Sequence, residues 1–408
     1  MKKIVVTGMG AVTPVGIGVE NYWNNITAGA SGIDTIKTFD PSELAVQIAG
    51  EVKNFNPSDY LPKDLIRKTD PFMQYAYIAA EEAMKQSGIK IEPERTGIVM
   101  GTAMAGIATI AYTQEALTGA SHKKVGPRFI PKILGNIAAA NIAIDYNIQG
   151  PSFTVSTACS SGGDAINTAC MCMQSGKADI MLAVGAESVL CPLVIYSLAN
   201  AKALSRRNDS PSTASRPFDV TRDGFVIGEG GGALVLETEE HALARGAKIY
   251  AEIRGCGNTD DAYHVTAPHP EGRGAIACMK QAIAEAGIKP SDIGYINAHG
   301  TATNKGDTVE TSSIKKVFGN TLPYVSSTKG ATGHMMGAGG ITETITCVKA
   351  IETGTVPPTI NLNEVEPECA GIDFVANTAK KAEINFAMSN AFGFGGQNSS
   401  IIVGKYGK

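Results

Sequence analysis

Residues 151–174 read PSFTVSTACSSGGDAINTACMCMQ. A β-type run, Phe153 to Ser156, gives way at once to small residues: Ala158, Cys159, Ser160, Ser161, Gly162 and Gly163. Beyond them Ala165, Ile166, Ala169 and Met173 recur at helical spacing. A strand that breaks sharply into a helix projects one side chain at the break. If that residue is Cys159, its sulfur sits at a helix N-terminus, where unpaired N–H groups and the macrodipole favour a thiolate. Small neighbours admit a substrate carbonyl, and backbone N–H groups can form half of an oxyanion hole. A buried structural cysteine fits this stretch alone equally well.

Two further stretches weigh against that plainer reading. Tyr324 to Gly340, YVSSTKGATGHMMGAGG, repeats the texture of a short strand, a small-residue turn and a Gly/Ala-rich helix start. Val155-Ser156-Thr157 and Val325-Ser326-Ser327-Thr328 read as two uses of one unit. Ile293 to Thr303, IGYINAHGTAT, again ends a strand in small polar residues, this time with a histidine. Cys159, His299, and Lys329 with His334 therefore each occupy a strand-end loop. Such a set is a nucleophile with its activating groups.

Composition narrows the class. The chain has 408 residues, 43% hydrophobic and 18% charged, with 46 glycines, the profile of an α/β enzyme rich in tight turns and close backbone approaches. A net charge of −4 argues against nucleic acid or an acidic membrane as a general partner. Eight cysteines are scattered with no C-x-x-C and no zinc-like spacing, so no metal ligand set is assigned and a reduced, cytoplasmic protein is expected. The start, MKKIVVTGMG, reads as a first strand and not a signal peptide. The uncharged run from Thr96 to Gln114 is interrupted by Gly101, Thr102, Gly106 and Thr109, so it is not expected to span a membrane.

Along the chain, strand Ile4–Thr7 is expected to turn at Gly8-Met9-Gly10. A dinucleotide G-x-G-x-x-G fails there because Thr13 and then Pro14 follow. Residues 70–88 form a helix capped by Asp70, with Pro71 in its first turn and Gly88 as stop. Strands are expected at 97–101 and Asp179–Ala186, and a long polar loop spans 205–232. Near residue 250 the pattern restarts: strand Ala251–Arg254, turn Gly255–Asn258, helix 274–287, strand Ile293–Asn297. Two α/β halves follow, 1–249 and 250–408, with largely parallel sheets covered on both faces.

Together these blocks resemble the β-ketoacyl-acyl carrier protein synthases, most closely the type II form of bacterial fatty acid synthesis. The resemblance runs from Lys3 to Val403 and rests on Ser156–Gly163, Arg216–Gly232, Asp261–Pro268, Asn297–Asp307, Ser326–His334 and Asn390–Gly396. It implies a thiolase fold, two pseudo-duplicated halves in an αβαβα layering, and a homodimer. It implies an acyltransferase that joins an acyl group on Cys159 to malonyl-acyl carrier protein with loss of CO2. No cofactor is implied, because phosphopantetheine arrives on the carrier.

Carried over residue by residue, the resemblance makes Cys159 the nucleophile, His299 and His334 the paired histidines, Lys329 the active-site lysine and Phe394 the gating phenylalanine. Oxyanion donors fall on the N–H groups of Cys159 and Phe394. Thr301 and Thr303 match residues that bind the pantetheine arm, and Met104 matches one lining the acyl pocket. Arg67, Lys68, Lys123, Lys124, Arg128, Arg206 and Arg207 match segments around the entrance where an acidic carrier docks. Asn297, Glu343 and Asn390 match positions linked to a monovalent cation in some relatives, but a buried polar network reads as well. His122, His241, His264 and His269 are left as structural or surface residues.

Rival readings lose on particular residues. The Cys-Ser-Ser sequence and Gln397-Asn398 leave a polyketide ketosynthase open as the alternative pathway. A non-catalytic chain-length-factor subunit would lack the nucleophile. A degradative thiolase would carry a second cysteine in the Gly393–Gly396 loop, and the initiating type III synthase would replace His334.

Overall fold

A computed structural model describes residues 2–119 and 124–408; Lys123 and His122 lie outside the described residues. Among the described residues, a hydrogen-bonded sheet of twelve strands runs through the molecule. From its middle outward on one side come Ile4–Thr13, Gly230–Thr238, Ile180–Glu187, Thr96–Gly101 and Ser152–Val155. On the other side come Ala251–Asp260, Gln397–Gly404, Phe386–Phe392, Ile293–Asn297 and Tyr324–Ser326. Each set pairs antiparallel, antiparallel, parallel, parallel in that order. The sets meet where Ile4–Val6 pairs with Ala251–Ile253. The Cys159 strand and the Lys329 strand thus hold equivalent outer positions in two copies of one topology.

Helices Ser161–Gln174 and Gly339–Thr353 pack between the two sets, touching strands of both. Every residue from Gly339 to Ile351 is buried, as a helix covered on all sides requires. Outer helices Pro71–Ser87 and Arg273–Ala286 cover the opposite faces. Pro71–Ser87 follows the expected caps: the Asp70 carboxylate accepts the Phe72 N–H, and Gly88 turns at φ 60°.

Two expectations need correction. Half of the long pairings are antiparallel, because strand pairs such as Phe386–Phe392 and Gln397–Gly404 are joined without a crossover helix. Gly8-Met9-Gly10 and Gly255–Asn258 are not turns; both strands run on, to Thr13 and Asp260. A Cβ on Gly8 or Gly10 would lie 2.1 or 1.9 Å from the carbonyl oxygens of Ala83 and Ala79. On Gly255 or Gly257 it would lie 2.2 or 2.1 Å from those of Ala282 and Cys278. These glycines let an outer helix press on the strand, and the same device occurs in both halves.

Candidate active site

The strand Ser152–Val155 breaks at Thr157 into one turn of 3-10 helix, Ala158–Ser160, and then the buried helix from Ser161. Ala158 sits at φ 51°, a left-handed conformation that costs a non-glycine residue about 1–2 kcal/mol. Short hydrogen bonds hold it there. Ser161 Oγ donates to the Ala158 carbonyl (2.7 Å), Ser160 Oγ to that of Thr157 (2.8 Å), and Thr157 Oγ1 to the Asp164 carboxylate (2.5 Å). Gly162 and Gly163 are small because neighbouring elements pass so near: a Cβ on Gly162 would lie 2.8 Å from the Gly337 oxygen, and one on Gly163 2.5 Å from Ser399 Oγ.

Cys159, projected at this break, is 8% exposed and lies among apolar side chains that include Leu190, Val194, Phe225 and Met336. Burial pushes its thiol up to about 11, which outweighs the Phe394 N–H at the sulfur and the nearby Lys329 charge, both of which pull it down. Burial therefore favours the thiol, against the thiolate that a helix end would favour.

His299 follows the strand Ile293–Asn297. Its N–H and that of Gly300 donate to the two oxygens of buried Glu310, at 2.9 and 2.8 Å. His334 is tied into the long loop instead: its N–H donates to the Val226 carbonyl and its own carbonyl accepts from Gly228. The two imidazoles stand edge to face, centroids 5.3 Å apart at 86°. Burial first, and then the Lys329 charge, holds both well below the usual histidine range. Both rings are neutral. Nδ1 of each, and Nε2 of His334, are buried without a partner among the described residues.

Lys329 is 2% exposed and its ammonium pairs with the Glu343 carboxylate. The charge is therefore fixed at one place beside the thiol and both rings. Asn390 accepts from Ser400 Oγ (2.8 Å), and Asn297 donates to Tyr295 Oη (3.1 Å), as a buried network would. Asn297 Oδ1 and Glu343 Oε2 lack partners among the described residues, and oxygens of that kind suit a monovalent cation.

The Gly393–Gly396 loop lies against the nucleophile turn. A Cβ on Gly393 would come within 2.6 Å of the Thr157 oxygen and 3.3 Å of the Cys159 nitrogen. Phe394 is 40% exposed, and Gly395 N–H donates to the Val265 carbonyl (2.8 Å) in the 261–268 loop. Thr301 and Thr303 follow His299, with hydroxyls 3.1 Å apart. Met104 is 37% exposed, while its neighbours Ala103 and Ile107 pack against the apolar cluster around Cys159.

Arg67, Lys124 and Arg128 line one cavity of about 760 Å³, joined by Lys132, which sequence reading did not single out. Lys68 is half-buried beside them in sequence. Arg206 and Arg207 lie on a separate segment, and Arg207 folds back to donate to the Thr221 carbonyl (2.7 Å). Other functional candidates missed from sequence are Asp164, Glu310 and Glu187. Each is a buried carboxylate anchoring a site loop, and none falls in a recognisable spacing.

Comparison with known proteins agrees with this geometry. Two family models match: Beta-ketoacyl synthase, N-terminal domain, over residues 1–242, and Beta-ketoacyl synthase, C-terminal domain, over residues 250–363. A protein of Vibrio cholerae named 3-oxoacyl-[acyl-carrier-protein] synthase 2 is 44% identical over 408 residues, covering 98% of both chains. A Beta-ketoacyl synthase from Burkholderia phymatum superposes with TM-score 0.92 at 34% identity, over 99% of this chain and 100% of that one. The ketosynthase of a type II PKS, solved in complex with its acyl-carrier protein and bound to a hexaketide, superposes at TM-score 0.89. It is 33% identical, with 99% of each chain covered.

Proposed function

The chain belongs to the β-ketoacyl synthase family, a thiolase-fold acyltransferase of fatty acid elongation, and on that premise we propose how its own residues divide the reaction. The observation that carries the assignment is the pair of neutral, edge-to-face histidines beside a buried thiol, under one fixed Lys329 charge.

The Cys159 sulfur attacks the acyl thioester carried on phosphopantetheine, and its proton leaves on the departing carrier thiol. The oxyanion formed on the way is held by the N–H groups of Cys159 and Phe394. Malonyl carrier follows, its arm resting on Thr301 and Thr303. His299 and His334, as neutral N–H donors, hold the thioester oxygen while the carbon–carboxylate bond breaks and its electron pair moves into the enolate. That carbanion attacks acyl-Cys159. The sulfur leaves and takes up the one proton that the net reaction consumes, and the 3-oxoacyl chain departs on the carrier. Lys329, locked to Glu343, orients the field and transfers no proton. Incubation with acyl and malonyl carriers should give 3-oxoacyl carrier with one CO2 released; malonyl consumption without that product would overturn the reading.

Met104 stands for the acyl pocket. Met104→Phe should shorten the longest chain accepted, because the added volume would overfill the pocket, at a cost of about 1–3 kcal/mol. Chain-length profiles of the product check this, and an unchanged profile would place the pocket elsewhere.

The carrier protein docks, on this reading, at Arg67, Lys68, Lys123, Lys124 and Arg128, with Arg206 and Arg207 on a second segment. The shared cavity of Arg67, Lys124, Arg128 and Lys132 supports it, as does the carrier complex of the related ketosynthase. Rim charges act mainly on encounter and are screened beyond roughly 8–10 Å at physiological salt. Arg67→Glu with Lys124→Glu should weaken use of acyl carrier protein, most strongly at low salt, and leave transfer from a pantetheine thioester nearly unchanged. Equal losses with both substrates would mean the patch is not a docking site.

A homodimer is also part of this reading. The strand Ser152–Val155 is an outer edge of the sheet, and Phe153 (46% exposed), Ile130, Leu134 and Ile144 leave apolar surface around it. An unpaired strand edge with apolar surface around it invites pairing with another chain. The halves 1–249 and 250–408 would be the duplicated units, and all eight free thiols suit a reducing, cytoplasmic setting. Among the described residues no helix is long and apolar enough to cross a membrane.

A further inference from the structure

The strand Ile180–Glu187 is uncharged until its last residue, and that residue is fully buried. Glu187 Oε1 accepts from Thr102 Oγ1 and the Met104 N–H, both at 3.1 Å. Its Oε2 accepts from the Ala103 N–H (2.6 Å) and the Gly337 N–H (3.2 Å). One carboxylate thus joins two segments that lie 233 residues apart between Met104 and Gly337. The join is tight: a Cβ on Gly337 would lie 2.8 Å from the Ala103 nitrogen, from Thr102 Cα and from Glu187 Oε2.

Both joined segments carry strain. Ala105 sits at φ 47° and Met336 at φ 46°, left-handed conformations that a non-glycine residue keeps only where its surroundings impose them. Ala103 and Met336 also belong to the apolar cluster around Cys159. Nothing else in the reaction as derived uses Glu187.

We propose that Glu187 is a positioning residue: its carboxylate clamps the Thr102–Met104 segment to the Gly337 turn and so fixes the wall that limits how far the acyl chain extends from Cys159. This rests on the reading that the chain runs along that apolar cluster. A glutamine has the same shape, but in either amide orientation its NH2 group faces at least one backbone N–H that needs an acceptor, so the clamp opens on one side. Both backbone segments can then relax from their strained conformations, and the wall recedes.

The test compares acyl transfer from octanoyl-CoA and palmitoyl-CoA onto Cys159, followed by mass spectrometry. In Glu187→Gln the palmitoyl-to-octanoyl ratio should rise about fivefold, the order of discrimination a small change in an apolar pocket gives. Malonyl decarboxylation, which depends on His299 and His334, should stay close to the native rate. Thr102→Val removes one donor to the same carboxylate and should shift the ratio in the same direction by less. It carries the test if Glu187→Gln does not fold. Proportional loss with both thioesters would overturn the clamp and make Glu187 merely structural. If Met104→Phe alters the profile while Glu187→Gln and Thr102→Val do not, the pocket stands and the clamp is wrong. If none of the three alters it, the pocket reading fails and the inference with it.

Discussion

Cys159→Ala is expected to fold normally and to transfer no acyl chain. The substitution removes one buried sulfur from a site that is 8% exposed, a loss on the order of 1–2 kcal/mol that leaves the strained turn and its serine hydrogen bonds intact. Transfer and condensation should fall by at least about 10⁴-fold, as removal of a covalent nucleophile does elsewhere. Decarboxylation of malonyl carrier should survive, since both histidines are untouched. A stable acyl adduct on another cysteine of this variant would sink the assignment. The native thiol has its own signature. With its pKa raised to about 11, the thiolate fraction falls about tenfold for each pH unit below that value, so alkylation of Cys159 should accelerate steadily from neutral pH upward. A rate already level at pH 7 would mean that a thiolate is present at rest.

His299→Ala and His334→Ala should each lower malonyl decarboxylation by about 10²–10³-fold, the usual cost of one oxyanion donor. The double variant should lose less than the product of the two, because both rings hold the same developing charge. The pH dependence has a definite sign. Burial and the Lys329 charge depress both histidines, so the neutral donors persist as pH falls through the ordinary histidine range. Decarboxylation should therefore be level from pH 8 down past 6.5 and fail only under more acid conditions. A decline centred near 6.5 would mean that one ring titrates freely and is not the donor described. Wild-type decarboxylation in either single variant would make that histidine structural.

The site's outline was legible because small residues after short strands mark chain breaks, and Cys159, His299, Lys329 and His334 all stand at such breaks. Caps told the truth where they act locally, as Asp70 and Gly88 do around one helix. Glycines misled where their reason is distant. Gly8 and Gly255 resemble turn residues in sequence but exist because helices some 75 and 27 residues further on lie against their strands. Glu310 and Glu187 escaped for the same cause: their partners are backbone N–H groups 10 to 150 residues away, and no period links them. The resting protonation of Cys159 was also beyond sequence. A helix terminus can be read from spacing, but the degree of burial that opposes it cannot.

The most direct measurement is a time-resolved intact-mass and peptide-mapping experiment on the native protein. Acyl carrier is added first and malonyl carrier second, with CO2 collected throughout. The mechanism predicts one acyl group on Cys159 after the first addition. The second addition should discharge it completely, with one CO2 and one 3-oxoacyl carrier formed per adduct lost. An acyl group mapped to any other residue, or a Cys159 adduct that persists while malonyl carrier is decarboxylated, would contradict the central claim that this thiol hands its chain to the carbanion held by His299 and His334.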